Sequence, residues 1–223
     1  SMSDYPIMLQ LNGRLCVVIG GGPVAIRKAR GLREAGGQVR LVASELAVPA
    51  GELAGVEVII RPFRAGDLSG AFMVFAATDD RLVNAAVVRE ARQRGVLVSV
   101  VDAPGEGDFT LPALLRRGDL TVSVATAGGS PALAAVLRDR VADQLGPEWA
   151  TVLEIATALR QKRLTLQGKT EYNQAILRRL LEGGLPDLIA GGDAPAVDRL
   201  LQTLLGEGCS LAQLGIRLAK GMT

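Results

Sequence analysis

At 223 residues, 48% apolar and 22% charged, the sequence has the composition of a soluble globular protein, large enough for one main domain with appendages. A net charge of +2 gives no bulk attraction to nucleic acid, and no apolar run reaches the about 18 residues of a membrane span. Histidine is absent, which excludes a Ser-His-Asp or Cys-His catalytic pair and any histidine-ligated metal site; no metal site is expected.

Aromatic residues make up only 3% of the chain, so the core must be packed with Val, Leu, Ile and Ala. The first residues lack the basic-then-apolar pattern of a signal peptide, and a cytoplasmic location is expected. Cys16 lies inside an apolar strand, far in sequence from Cys209, and reads as a small core residue rather than half of a disulfide.

In chain order, LCVVIG (15–20) is a strand too apolar to have a wet face, and a helix follows from Pro23 to Ala35. QVRLVA (38–43), EVIIRPF (57–63), FMVFAA (72–77) and LVSVV (97–101) read as four further strands. DDRLVNAAVVREARQRG is a helix between the last two, closing at Gly95. Continuous β-branched runs separated by helices predict an α/β fold with a doubly wound, Rossmann-like parallel sheet. After Pro104 the pattern changes. TLPALLRRGDLTVSVAT holds two strand-like runs about a turn at RRGD, and GGSPALAAVLRDRVADQLG is a helix with Ser130 as N-cap and Pro131 at its first position. From Gly146-Pro147 onward the chain is helical, punctuated by QGK, EGGLPD and GEGCS. The expected organisation is a Rossmann-like domain (1–109), a small α+β unit (110–146) and a C-terminal helical module (147–223).

A glycine loop and three polar clusters carry chemistry. Gly20, Gly22 and Ala25 fit G-x-G-x-x-[G/A] where the first strand becomes a helix, the loop that brings backbone amides to a dinucleotide pyrophosphate. The second strand ends in Ala43-Ser44-Glu45, so the acidic residue expected on the ribose is displaced by about two positions. Arg40 lies inside that strand and is poorly placed for a 2′-phosphate, which favours NAD over NADP. Two polar clusters follow later strands: Thr78-Asp79-Asp80, equally readable as a helix cap, and Asp102 in VSVVDAP, whose alternative reading is a loop cap. Without histidine, Asp102 is the best acid/base candidate, at the strand end where the nicotinamide of a bound cofactor should lie. The third cluster, Thr126-Ala127-Gly128-Gly129-Ser130-Pro131, is a helix N-terminus of the kind that attracts carboxylate or phosphate, and is also readable as a capped helix following a glycine turn.

Taken together, YPIMLQLNGRLCVVIGGGPVAIRKARGLREAGGQVRLVA, AATDDRLVN, VVDAP, FTLPALLRRGDLTVSVATAGGSPALA and LRDRV resemble the precorrin-2 dehydrogenase family, including the dehydrogenase–ferrochelatase portion of siroheme synthases. The resemblance covers roughly residues 5–145. It implies NAD-dependent oxidation of precorrin-2 to sirohydrochlorin, with Fe²⁺ insertion as a second activity in some members. It implies an intertwined homodimer built through residues 110–146. The family's essential aspartate falls on Asp102, its cofactor loop on Gly20, Gly22, Pro23 and Val24, and its ribose contacts on Ser44 and Glu45, with Thr78 and Asp79 beside them. A serine phosphorylated in some members falls on Thr126. The substrate bears eight carboxylates, so Arg116 and Arg117, near Arg138 and Arg140 in sequence, are candidate contacts together with Thr126, Gly128, Gly129 and Ser130; Lys162 and Arg163 add charge in the tail. The residues themselves leave two other readings open: a different NAD-dependent dehydrogenase, or a non-catalytic NAD-sensing module.

Overall fold

The computed structural model describes residues 4–164 and 170–218, with the side chains of 163–164 and 170–173 outside the description. The QGK turn and the Arg163 side chain therefore lie outside the described residues. The chain divides into two compact units between Leu111 and Pro112.

The first unit is a five-stranded parallel sheet: β1 (Leu15–Ile19), β2 (Gln38–Ala43), β3 (Val56–Ile60), β4 (Met73–Ala76) and β5 (Leu97–Val100), in the order β3-β2-β1-β4-β5. Each face is covered by one helix, α1 (Pro23–Glu34) or α2 (Arg81–Arg94). Side chains alternate across a strand, so β1 feeds both layers. Cys16 and Val18 pack with Ala25, Ile26, Ala29 and Leu32 of α1. Val17 and Ile19 pack with Val87, Val88 and Ala91 of α2. Cys16 is fully buried with a free thiol, which burial pushes above its ordinary pKa, in keeping with a core role.

No helix bridges β2 to β3 or β3 to β4. A single 3-10 turn (Ala50–Glu52) and the turns of 61–72 do so instead. Leu53 and Leu68 plug the two layers from these connections. The run read as a strand over 57–63 is shorter, because β3 is an edge strand and pairing ends before Pro62, which has no amide to give. Arg61, just beyond it, grips Asp67 through two bonds of 2.7 and 2.9 Å, and the guanidinium holds that carboxyl below its ordinary range. Arg40 is likewise engaged, 2.7 Å from Glu57 on the neighbouring strand.

The second unit opens with an antiparallel hairpin, β6 (Ala113–Arg117) and β7 (Leu120–Val124), followed by α3 (Pro131–Gln144), which packs on both strands. The turn is not the four-residue RRGD but Gly118-Asp119 alone. Gly118 has φ +56°, which suits the first position of a two-residue hairpin turn, and Arg116 and Arg117 are drawn into the strand. Ser130 caps α3 as expected, its Oγ accepting from the Leu133 amide at 3.1 Å. Helices α4 (Trp149–Leu164), α5 (Thr170–Glu182), α6 (Leu185–Ala190) and α7 (Ala194–Leu205) close around Ile155, Leu180, Leu185, Val197 and Leu201. Among the described residues no helix is long and apolar enough to cross a membrane.

Candidate active site

The site of the first unit is built where β1 meets β4. The chain runs from β1 outward to β2 and β3 on one side and to β4 and β5 on the other, so a crevice opens beyond the carboxyl ends of β1 and β4. The glycine loop occupies it. Gly20 has φ +130°, and a Cβ there would stand 2.3 Å from the Ala77 carbonyl oxygen. A Cβ on Gly21 would stand 1.9 Å from the carbonyl oxygen of Glu45. These two glycines are required by the protein's own backbone. Gly22 differs: it is exposed, and a Cβ there would meet nothing within 4 Å.

Gly22 is also the N-cap of α1, with no side-chain hydrogen bond capping the helix and no acidic residue in its first turn. Pro23 brings no amide, and the Ile26 amide closes the first helical bond back to Gly22 at 3.0 Å. The free helix terminus and the open cradle over Gly22 fit a pyrophosphate, with Val24 in the same first turn. Ser44 and Glu45 are exposed on the adjoining loop, tied to the cradle by the Ala47 amide, which donates to the Gly21 carbonyl at 2.8 Å. The residues present therefore fit a dinucleotide.

The cluster after β4 splits in function. Asp80 is the cap of α2, accepting from the Leu82 and Val83 amides at 2.8 and 3.3 Å, as the capping alternative required. Asp79 is exposed, and Thr78 turns inward, its Oγ1 2.7 Å from Asn84 Oδ1. Asn84 is completely buried and uses its whole amide. Its Oδ1 accepts from the Thr78 amide and hydroxyl at 3.2 and 2.7 Å; its Nδ2 donates to the Thr78 carbonyl at 3.0 Å and to Asp102 Oδ1 at 3.3 Å.

Asp102 thus stands two residues beyond β5, with one oxygen held from inside the protein and the side chain 44% exposed. Among the described residues its carboxylate is bonded by side chains, not by the backbone amides that a loop cap would use. Arg81 approaches it from solvent at 3.4 Å and reaches Glu106 at 2.6 Å. Sequence reasoning missed both Asn84 and Arg81. A signal for the first existed: Asn84 occupies the buried stripe of α2 with Val87, Val88 and Ala91, a polar residue where a leucine or valine is expected.

The other candidates belong to the second unit. Arg116 is exposed on β6, whereas Arg117 donates to the Leu145 carbonyl at 2.7 Å, satisfying the C-terminal end of α3. Thr126 Oγ1 bonds the Ser130 amide at 3.1 Å, Ser130 is spent on its cap, and Gly128 and Gly129 form the turn between them.

Residues 7–113 match the model of a putative NAD(P)-binding family. The chain is 33% identical to the siroheme synthase of Pseudomonas paraeruginosa over 210 residues, covering 93% of this chain and 45% of that protein. It is 37% identical to the siroheme synthase of Methylococcus capsulatus over 202 residues, covering 89% and 43%. It spans about half the length of these curated relatives. Its fold is similar to that of SirC, a precorrin-2 dehydrogenase, with TM-score 0.72 at 21% identity over 90% of this chain and 98% of that one. Across most of its length the chain is homologous to one portion of the siroheme synthases, and its residues 7–113 match a putative NAD(P)-binding domain.

Proposed function

We propose that the chain catalyses the NAD-dependent oxidation of precorrin-2 to sirohydrochlorin. The observation that carries this reading is the pairing, in a relative of siroheme synthases, of an open helix-terminal cradle at Gly22 with a carboxylate, Asp102, fixed two strands away across the crevice. The oxidation removes two hydrogens from the macrocycle, one as hydride and one as a proton. Bound NAD⁺ supplies the hydride acceptor. The protein's own residues do the rest. The amides beginning α1 would hold the cofactor pyrophosphate, and the exposed Ser44 and Glu45 would contact its ribose. Arg40 and Arg61 are held by carboxylates of the protein, which supports the preference for NAD over NADP. Asn84 donates to Oδ1 of Asp102, and the half-exposed carboxylate takes the proton and returns it to water.

Residues 110–146 form the dimerisation region in this reading, and 147–223 a helical module attached to it. Leu114 on β6 and Leu133, Val136 and Leu137 on α3 are exposed at 39%, 50%, 55% and 39% in the single chain, a surface that a C2 partner would cover. Arg116 is retained as a substrate contact; Arg117 and Ser130 already serve the fold. The reading places the enzyme in the cytoplasm. Fe²⁺ insertion into sirohydrochlorin is treated as a separate reaction with Fe²⁺ as substrate.

Incubation with NAD⁺ and precorrin-2 is expected to give the sirohydrochlorin absorption spectrum with one NADH per macrocycle. Bound NAD without turnover would instead favour a sensing module. Light scattering at micromolar concentration should give a dimer, and the double substitution Leu133→Glu, Val136→Glu should give a monomer. A monomeric native chain would remove the dimer from the reading.

A further inference from the structure

Arg81 begins α2 at the rim of the crevice, and its guanidinium is shared between two acids. Nη2 stands 2.6 Å from Glu106 Oε1; Nη1 stands only 3.4 and 3.5 Å from the two oxygens of Asp102. The three side chains are 52%, 47% and 44% exposed. Glu106 is the firmer partner, and its hydrogen bond is the first cause that pushes the Arg81 guanidinium pKa above its ordinary value.

Two features make this arrangement exchangeable. Ion pairs this exposed are weak in water, since solvent screens the attraction and both side chains lose freedom. The geometry is also unsatisfied as arginine chemistry: the planar fork matches a single carboxylate bidentately, yet here it is split, one short bond to Glu106 and long approaches to Asp102. The surroundings are acidic, with exposed Asp79 and Asp80 immediately before Arg81 in the chain. A ligand carrying several carboxylates would be repelled from Asp102 unless a cation beside it were released to meet one of them.

We propose that Arg81 is a receptor for a peripheral carboxylate of the tetrapyrrole, and that Glu106 is the internal carboxylate which the ligand displaces. This rests on the reading of Asp102 as the proton acceptor for such a substrate. Arg81 is then a binding residue that anchors the ring beside Asp102, and Glu106 sets how readily it does so.

The signs of the substitutions separate this from a structural clasp. If the pair merely tied α2 to the loop of 104–106, removing either charge would act in the same direction. If Glu106 competes with the ligand, Arg81→Gln weakens binding and Glu106→Gln strengthens it. The test is titration of the full chain with sirohydrochlorin, followed by its absorption, with no turnover needed. Arg81→Gln is expected to weaken binding about tenfold, the scale of a lost charge-assisted bond. Glu106→Gln should tighten it about threefold, the scale of an exposed ion pair. Arg81→Lys, which keeps the charge and loses the fork, should fall between native and Arg81→Gln. NAD affinity, measured in parallel, should stay unchanged and reports the fold. Shifts of the same sign in Arg81→Gln and Glu106→Gln, or none in either, overturn the proposal while leaving the dehydrogenase reading intact. Failure of the native chain to bind sirohydrochlorin overturns both.

Discussion

Gly22→Asp should destroy NAD binding in a protein that is at least as stable as the native one. The two halves of this result have different causes. Gly22 has φ −74° and ψ 175°, extended backbone that aspartate adopts without strain, and a Cβ there meets nothing within 4 Å. It is also the N-cap of α1, where aspartate is preferred over glycine by a few tenths of a kcal/mol and a negative charge complements the helix dipole. The same carboxylate would occupy the cradle that the amides beginning α1 offer to a pyrophosphate. Two like charges about 4 Å apart near a protein surface repel by roughly 4 kcal/mol, so affinity should fall by ~10² or more. Calorimetric titration with NAD⁺ and a urea melt on the same sample read both halves. A folded mutant with native NAD affinity would remove the loop from the site. Gly20→Ala is the contrasting variant: at φ +130° and 2.3 Å from a backbone oxygen, it should lose stability along with affinity.

The sequence made the scaffold of this site legible and hid its fine structure, for a physical reason. Strands buried on both faces and a glycine turn before a helix are local patterns, and β1, α1, β2, β4, α2 and β5 follow them closely. The partition of the three glycines is not local. Gly20 and Gly21 are fixed by Ala77 and Glu45, which arrive from β4 and from the loop after β2, and only that packing reveals Gly22 as the one facing open space. Arg81 meets Glu106 across 25 residues of sequence, through a loop whose course no periodicity encodes. In the hairpin, RRGD reads as a charged turn, but Gly118 alone satisfies the turn geometry, which puts Arg117 within reach of the end of α3.

Asp102→Ala is expected to cut dehydrogenation by ~10² or more, the usual scale for a positioned acid/base group. NAD binding and dimer formation should survive, because the cradle is built from Gly20, Gly21 and Gly22, and the apolar surface proposed for dimerisation lies in residues 110–146. The chain has no histidine to substitute for the lost carboxylate. Asp102→Asn discriminates more finely. Asn84 Nδ2 donates to Oδ1 of Asp102, and a side-chain amide carbonyl can accept that same bond, so position and shape are kept. What the amide cannot do is take up a proton. If Asp102 is the acceptor, the Asn variant should be nearly as slow as the Ala variant, with kcat falling and KM little changed, as for an interaction used only during the reaction. An active Asn variant beside an inactive Ala variant would make Asp102 a positioning residue and assign the proton to water or to the substrate's own carboxylates. Full activity of both on precorrin-2 would remove Asp102 from the chemistry. The same two proteins decide how Fe²⁺ insertion relates to this site when they are assayed on preformed sirohydrochlorin. Loss of both reactions in one variant places them at one carboxylate, since the pyrrole protons released on metal entry need an acceptor just as the dehydrogenation does. Chelation retained without dehydrogenation separates the two steps.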